Sequence, residues 1–395
     1  MNTFVNAFDQ WIRGAFVEMN TELEETYFAQ QDKSAVEDVG TATKTQLVEE
    51  GRGFIADLLN EGNTDEGFDQ AFDLLGNVGL YMAACRRHDI TEPSRETSSP
   101  LTEASGLAMH LGSSLNVTPR FATSHLTTHN SSLNGHYKSF TSLPDEYLFI
   151  EYNTLSVFAF KRAADALVRV LPLGISHPVS YHLLMDVKLA LQDVVKINEQ
   201  LFEHLDIQRF FYCVRPYYKP YRVGQHEYRG ANAGDFAGIN ELDILLGLCS
   251  ANNTSYSQLL VDKLLYMVPY DQQRLREVMR QTSLLDSFLA ASNNQTDQDW
   301  YQRNTALFLE VCEAHGETAA QHHEQLVGKF IEGPSTALPL QRLKNITASG
   351  PPLPVLISAL EKLRDLRTAA QPDAARRDDI PSRYADYDRL RASLR

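Results

Sequence analysis

One stretch limits what this chain can fold into. Residues 307–331, LFLEVCEAHGETAAQHHEQLVGKFI, carry Phe308, Cys312, Ala319, Leu326 and Phe330 at helical steps of four and seven. The spacing predicts one long helix, and three of the chain's twelve histidines lie on it: His315, His322 and His323. At least one of them falls on the apolar stripe and must point inward. A buried neutral imidazole needs a partner for each ring nitrogen, and a metal is one such partner. Periodicity alone leaves the choice open, because His315, His322 and His323 all lie in or beside the stripe. The alternative is a core histidine bonded to a carbonyl and two exposed ones. HExxH zinc chemistry is excluded, since no second histidine follows His323-Glu324 at the required spacing.

The rest of the chain has the same period. Phe4, Phe8, Trp11, Ile12, Phe16 and Met19 form a first stripe; helices are also expected over 48–59, 68–87 and 101–115. The polar run RRHDITEPSRETSSP reads as a loop. Residues 118–143 are rich in Ser, Thr, His and Asn, a composition that in a compact domain marks a functional connection. Pro144 and the acidic pair Asp145-Glu146 suit the first turn of a helix running to Leu171. Leu184, Val187, Leu191, Val194, Leu201 and Leu205 mark another amphipathic helix. Residues 219–234 read as irregular, and helices follow over 239–249, 255–267, 271–291 and 355–368. No period-2 strand or internal repeat stands out. The expectation is an all-α protein with a helical region over 1–115, a second over 116–370, and a charged, loosely held tail over 371–395.

Composition narrows the function. A net charge of −15 argues against non-specific nucleic-acid binding and against an anionic membrane surface. No apolar run approaches the ~20 residues that span a bilayer, and the first residues lack the pattern of a secretory signal. A cytoplasmic location is the default. The four cysteines, Cys85, Cys213, Cys249 and Cys312, form no CxxC pair and sit among apolar neighbours, so buried free thiols are expected.

Two further constellations carry candidate chemistry. In RFFYCVRPYYKPYRVGQHEYRGANAGDF, Arg215 is surrounded by aromatics where a helix meets a loop. Its five donors need an anion or carbonyls; a ligand carboxylate matches its planar fork, and a structural salt bridge is the bland alternative. Gly230 and Gly234, with small Ala231 and Ala233, would let a backbone approach a flat ligand closely. In SHLTTHNSS, His125 and His129 stand four apart, either as a metal pair on a helix or as polar loop residues.

These segments together resemble the indoleamine 2,3-dioxygenase superfamily of haem proteins, and most closely its bacterial monodechloroaminopyrrolnitrin synthase-like branch. Phe210-Phe211 followed by Val214-Arg215 is similar to the family's Phe-Phe-x-x-x-Arg. There the aromatic lines the substrate pocket and the arginine binds the substrate carboxylate. Tyr228 to Gly234 resembles the loop over the haem, and Leu242-Asp243-Ile244-Leu245-Leu246-Gly247 the helix behind it. His323 to Ile331 resembles the stretch that opens on the proximal ligand, and LPDEYLFIEY (143–152) resembles the distal side of the pyrrolnitrin-type branch. The likeness runs in order over roughly residues 70–368.

The resemblance implies haem b with His323 as axial ligand, ahead of His322 and His315. It implies a haem-dependent dioxygenase acting on an aromatic, tryptophan-like amino acid, with a haem-binding sensor or carrier as the alternative. Arg215 would orient the carboxylate, and Phe211 and Tyr212 would offer pocket wall. Ala231, Asn232, Ala233, Gly234 and Asp243 would contact the cofactor, and His125 would handle protons. Homo-oligomerisation is compatible with all of this. Two positions depart from the pattern. Ala320 replaces an arginine that in the family pairs with a haem propionate, so Asp243 needs another partner. The family's mobile Gly-Thr-Gly-Gly loop is represented by Thr347-Ala348-Ser349-Gly350. Ring cleavage, hydroxylation and rearrangement all stay open.

Overall fold

The computed structural model describes residues 3–61, 67–336, 353–374 and 376–395. The Thr347–Gly350 segment lies outside them. The described chain is helical apart from its connections and one antiparallel hairpin, as the periodicity predicts. It divides into two compact units, neither of them a single run of chain: residues 1–154, 204–235 and 330–353 form one, and 155–203, 236–329 and 354–395 the other. These units do not follow the linear division into 1–115, 116–370 and 371–395, because helices distant in sequence pack together.

In the first unit the N-terminal stripe is two helices, Thr3–Arg13 and Ala15–Phe28, interrupted at Gly14. Phe8, Trp11, Ile12 and Phe16 are all buried, so the apolar face continues across the break and conceals it from a periodicity count. The helices Thr41–Glu61, Phe68–Arg87 and Thr102–Leu115 follow. Phe68–Arg87 is the central one, buried along nearly its whole length from Ala71. Close packing there relies on glycine: a Cβ on Gly79 would stand 2.6 Å from the backbone nitrogen of Phe121. The Ser/Thr/His/Asn-rich connection can therefore lie directly against the helix. Strands Tyr221–Val223 and His226–Tyr228 pair through Gly224, whose φ of 57° suits the tight turn. Strands of three residues are too short to display an alternating pattern, which is why the sequence reads as irregular here.

The second unit has its core among Leu184, Leu191, Val194, Leu242, Phe288, Phe308 and Tyr301, all buried. The expected 271–291 helix is two, Pro269–Val278 and Leu284–Ala291. Ser283 divides them: its hydroxyl accepts the Asp286 N–H at 3.1 Å as an N-cap. The expectation of a loosely held tail is corrected. Tyr384–Ala392 is a helix whose Tyr387 and Leu390 are fully buried, and the Tyr387 hydroxyl donates to the Leu246 carbonyl at 2.9 Å. Burying each such side chain is worth roughly 1.5–3 kcal/mol, enough to hold a charged segment that carries only a few apolar residues. All four cysteines are buried and free. No helix among the described residues is long and apolar enough to cross a membrane.

Candidate functional site

The two motifs singled out in the sequence share a backbone feature. The long helix starts at Asp299, runs as an α-helix to Gln321, and widens into a π-helix over His322–Glu332. The segment Phe210–Val214, immediately before Arg215, is also π-helical. Among the described residues these are the π-helical stretches, and such turns are frequent at functional sites because the wider ring re-aims side chains.

The three histidines of the long helix separate cleanly. His315 is 1% exposed, and its Nε2 lies 2.8 Å from Asp243 Oδ1. Asp243, fully buried on the helix Ala237–Leu245, also receives Arg367 through Nε at 2.8 Å and Nη2 at 2.7 Å, and the Tyr256 hydroxyl at 2.7 Å. Asn240 supports that hydroxyl by donating its side-chain N–H at 3.0 Å. Burial alone would raise the Asp243 carboxyl, but Arg367 and His315 outweigh it and hold the group below the usual carboxylate range. The partner that Ala320 cannot supply thus comes from Arg367, at the end of the helix Leu353–Arg367. In sequence, Arg367 looks like an ordinary cation in a last helical turn, so nothing there points to Asp243. Asp243 is saturated by side chains, which places it behind any cofactor contact, as an anchor for Arg367 and His315.

His322 and His323 are more accessible. The His322 side chain meets solvent, yet protein surrounds it. That desolvation, followed by the charges of Arg367 and His323, pushes its imidazole down to about 4. His323 is half-buried, and Val327, four residues on along the same π-helix, is buried. An axial ligand needs a nitrogen lone pair that protein partners have not consumed and a flank that is apolar rather than fully wet. His315 gives Nε2 to Asp243, while its Nδ1 is buried with no hydrogen-bond partner among the described residues. The other two are adjacent imidazoles on a re-aimed helical turn, the first of them neutral at neutral pH. The donor set fits a haem iron. Among the described residues no cluster of three or more His, Cys, Asp or Glu could hold a bare metal ion, and His125 and His129 form no such site.

His125 is corrected as a proton-handling group. It is buried in the short turn Thr123–Leu126, where its Nδ1 accepts the Ala122 N–H at 3.0 Å. Its Nε2 must then carry the proton, which it donates to the Phe72 carbonyl at 2.9 Å. The ring stacks on Phe72 with centroids 3.9 Å apart, and Gly76 leaves the room for it. Burial, then His129, keeps the imidazole well below its ordinary value. Both nitrogens are used, so His125 is a packed structural histidine.

The loop 231–234 is held from both ends. Arg229 forks onto Asp235 at 2.8 and 2.7 Å. Asn232 Oδ1 accepts the Gly234 N–H at 3.0 Å, and the Asn232 carbonyl accepts the Thr123 hydroxyl. This leaves the Asn232 side-chain N–H groups as donors on a fixed loop. Ala231 is buried, while Ala233 and Gly234 are half-buried.

Arg215 has no such saturation. It is 8% exposed, and among the described residues no hydrogen bond or ion pair reaches it; its Nη1 is buried and unpaired. Burial pushes the guanidinium down to about 10, still charged at neutral pH. It lines a cavity of about 150 Å³ together with Phe211, Tyr212, Arg86, Arg87 and Lys219. The Phe211 ring lies 5.8 Å from the guanidinium carbon. A structural salt bridge, the bland reading of Arg215, is absent from the described residues. Arg86, Arg87 and Lys219 escape a sequence reading: the arginines look like helix-end cations, and Lys219 looks like a loop lysine.

The long helix brings histidines able to hold a prosthetic group onto a re-aimed turn, and Arg215 lines a cavity with aromatic walls and no ion pair among the described residues, features of a helical protein with candidate cofactor-holding and anion-binding groups. The particular family follows from comparison: the family model of monodechloroaminopyrrolnitrin synthase PrnB matches residues 2–394, and the chain belongs to that family. The family is one of haem-dependent oxygenases, so the protein is an enzyme of that class.

Proposed function

We propose that this enzyme uses haem b, ligated by His323, to oxidise an aromatic, tryptophan-like amino acid or derivative with dioxygen. The observation that carries the substrate reading is Arg215: a buried, charged guanidinium with no protein anion among the described residues, on a cavity walled by Phe211 and Tyr212. Leaving such a group unpaired costs several kcal/mol, a cost that a substrate carboxylate in bidentate contact would offset. Phe211 flanks the guanidinium and excludes water, which strengthens the pairing. Asn232, fixed by its own backbone contacts, offers an N–H donor to a substrate amine or carbonyl.

The haem, when bound, supplies the dioxygen chemistry. His323 is the residue that would hold the iron. Arg367, fixed by Asp243, keeps Nη1 outside those two contacts, so that group can meet a propionate where Ala320 has nothing to offer. Asp243 and His315 position Arg367 rather than touch the cofactor. The test is spectroscopic. His323→Ala is expected to lose the Soret band of bound haem while His322→Ala and His315→Gln keep it; a normal band in His323→Ala overturns the ligand. Incubating the ferrous enzyme with tryptophan, tyrosine and halogenated tryptophan under dioxygen, with products weighed by mass, tests the substrate class.

A further inference from the structure

We propose that Lys219 is a second anion-binding residue of the Arg215 cavity, so that an aromatic carboxylate is held between two cations and binds with uptake of a proton. The proposal rests on Arg215 as the carboxylate site and deepens it. Lys219 lines the same cavity of about 150 Å³, and among the described residues no hydrogen bond or ion pair engages it. The other charges there are accounted for. Arg87 forks onto Glu24 at 2.7 Å twice, and Arg86 pairs with Glu92 at 3.0 Å. Asp89 holds Arg95 at 2.6 Å, Lys33 donates to Gln208 at 3.0 Å, and a Glu37 oxygen accepts the Val36 N–H at 3.3 Å. What remains unsatisfied is cationic, on Arg215 and Lys219.

The backbone fixes both residues. Arg215–Tyr218 is a single 3₁₀ turn opened by Arg215-Pro216 and closed by Lys219-Pro220, with Lys219 in the extended conformation that a following proline favours. Buried Tyr217 stacks on Phe140 with centroids 4.3 Å apart and pins the turn. Burial, then Arg86 and Arg87, pushes the Lys219 amine down to about 7, against a smaller opposing pull from Glu92, and Arg215 adds to the depression. A carboxylate arriving between Arg215 and Lys219 favours the charged amine. The folded, empty cavity therefore holds a partly neutral lysine, and the filled cavity a protonated one. Affinity falls as pH rises from the free value toward the bound one.

Calorimetric titration of the full-length haem-loaded enzyme with indole-3-propionate, which has no titrating amine, tests this in buffers of different ionisation enthalpy. The wild type is expected to take up a proton on binding and to weaken at least about tenfold between roughly pH 7 and 9. Lys219→Arg should bind without uptake and with a flat profile; Lys219→Met should also be flat, and weaker at pH 7. PH-independent wild-type binding, or binding by Lys219→Met that matches wild type in affinity and proton uptake, overturns the role of Lys219 and leaves Arg215 standing. If Arg215→Met binds as tightly as wild type, or wild type does not bind, the carboxylate site itself fails, and this inference fails with it.

Discussion

Arg367, its side chain 13% exposed, and Arg215, 8% exposed, are both largely enclosed arginines, and the contrast between them separates scaffold from site. Arg367 gives Nε and Nη2 to Asp243, whose other lone pairs are taken by His315 and Tyr256. Arg215 has no protein anion among the described residues and faces a cavity shared with Lys219, also unpaired. Pairing offsets the desolvation of a buried charge; a charge left unpaired is kept at a cost in stability, and the natural place for such a cost is a binding site.

The comparison can be broken by removing one member of each set. Asp243→Ala leaves Arg367 buried without its carboxylate and is expected to cost about 3–5 kcal/mol, read as a lower urea midpoint. A loss under about 1 kcal/mol would mean that the cluster is not structural. Arg215→Met is expected to weaken carboxylate binding by about 100-fold, within the 2–5 kcal/mol range for a lost buried charge pair. Unlike Asp243→Ala, it should leave stability equal or higher, because an uncompensated charge is removed. If both variants unfold alike, the contrast fails.

The acid limb sharpens it further. Asp243 is held below its ordinary value in the fold, so its contribution is present above the unfolded value of ~3.9 and is lost as pH falls toward the folded one. Asp243→Asn should therefore flatten the fall in stability below about pH 4, whereas Arg215→Met should leave it unchanged; equal acid limbs in wild type and Asp243→Asn would refute the assignment. The smallest effect is expected of Tyr256→Phe, which removes one hydroxyl donor from Asp243 and should cost about 1 kcal/mol in the same urea measurement. A loss as large as that of Asp243→Ala would show that the hydroxyl, not Arg367, is the main partner.

Much of the fold was legible in the sequence. The long apolar stripes predicted the helices Phe68–Arg87 and Thr102–Leu115 within a residue, and Pro178–His204 from Leu184 onward, since each repeats its burial pattern over three or more turns. Where a feature is shorter than its period, the sequence was silent: the break at Gly14 and the three-residue strands at Tyr221 and His226. The terminal helix was misread because composition weighs all residues equally, whereas Tyr387 and Leu390 carry its attachment.

At the candidate site, the sequence by itself determined which residues are chemically able: His315, His322 and His323 on one helix, and Arg215 among aromatics. Only the tertiary structure decided which of them are already used. Asp243 takes Nε2 of His315 and leaves its Nδ1 buried without a partner, the Ala122 N–H and the Phe72 carbonyl consume His125, and no anion among the described residues meets Arg215 or Lys219. The physical reason is that a side chain's chemistry is local to its residue, whereas its free valence depends on partners brought in from far along the chain. Arg367 reaches Asp243 across 124 residues, a distance over which no spacing rule operates.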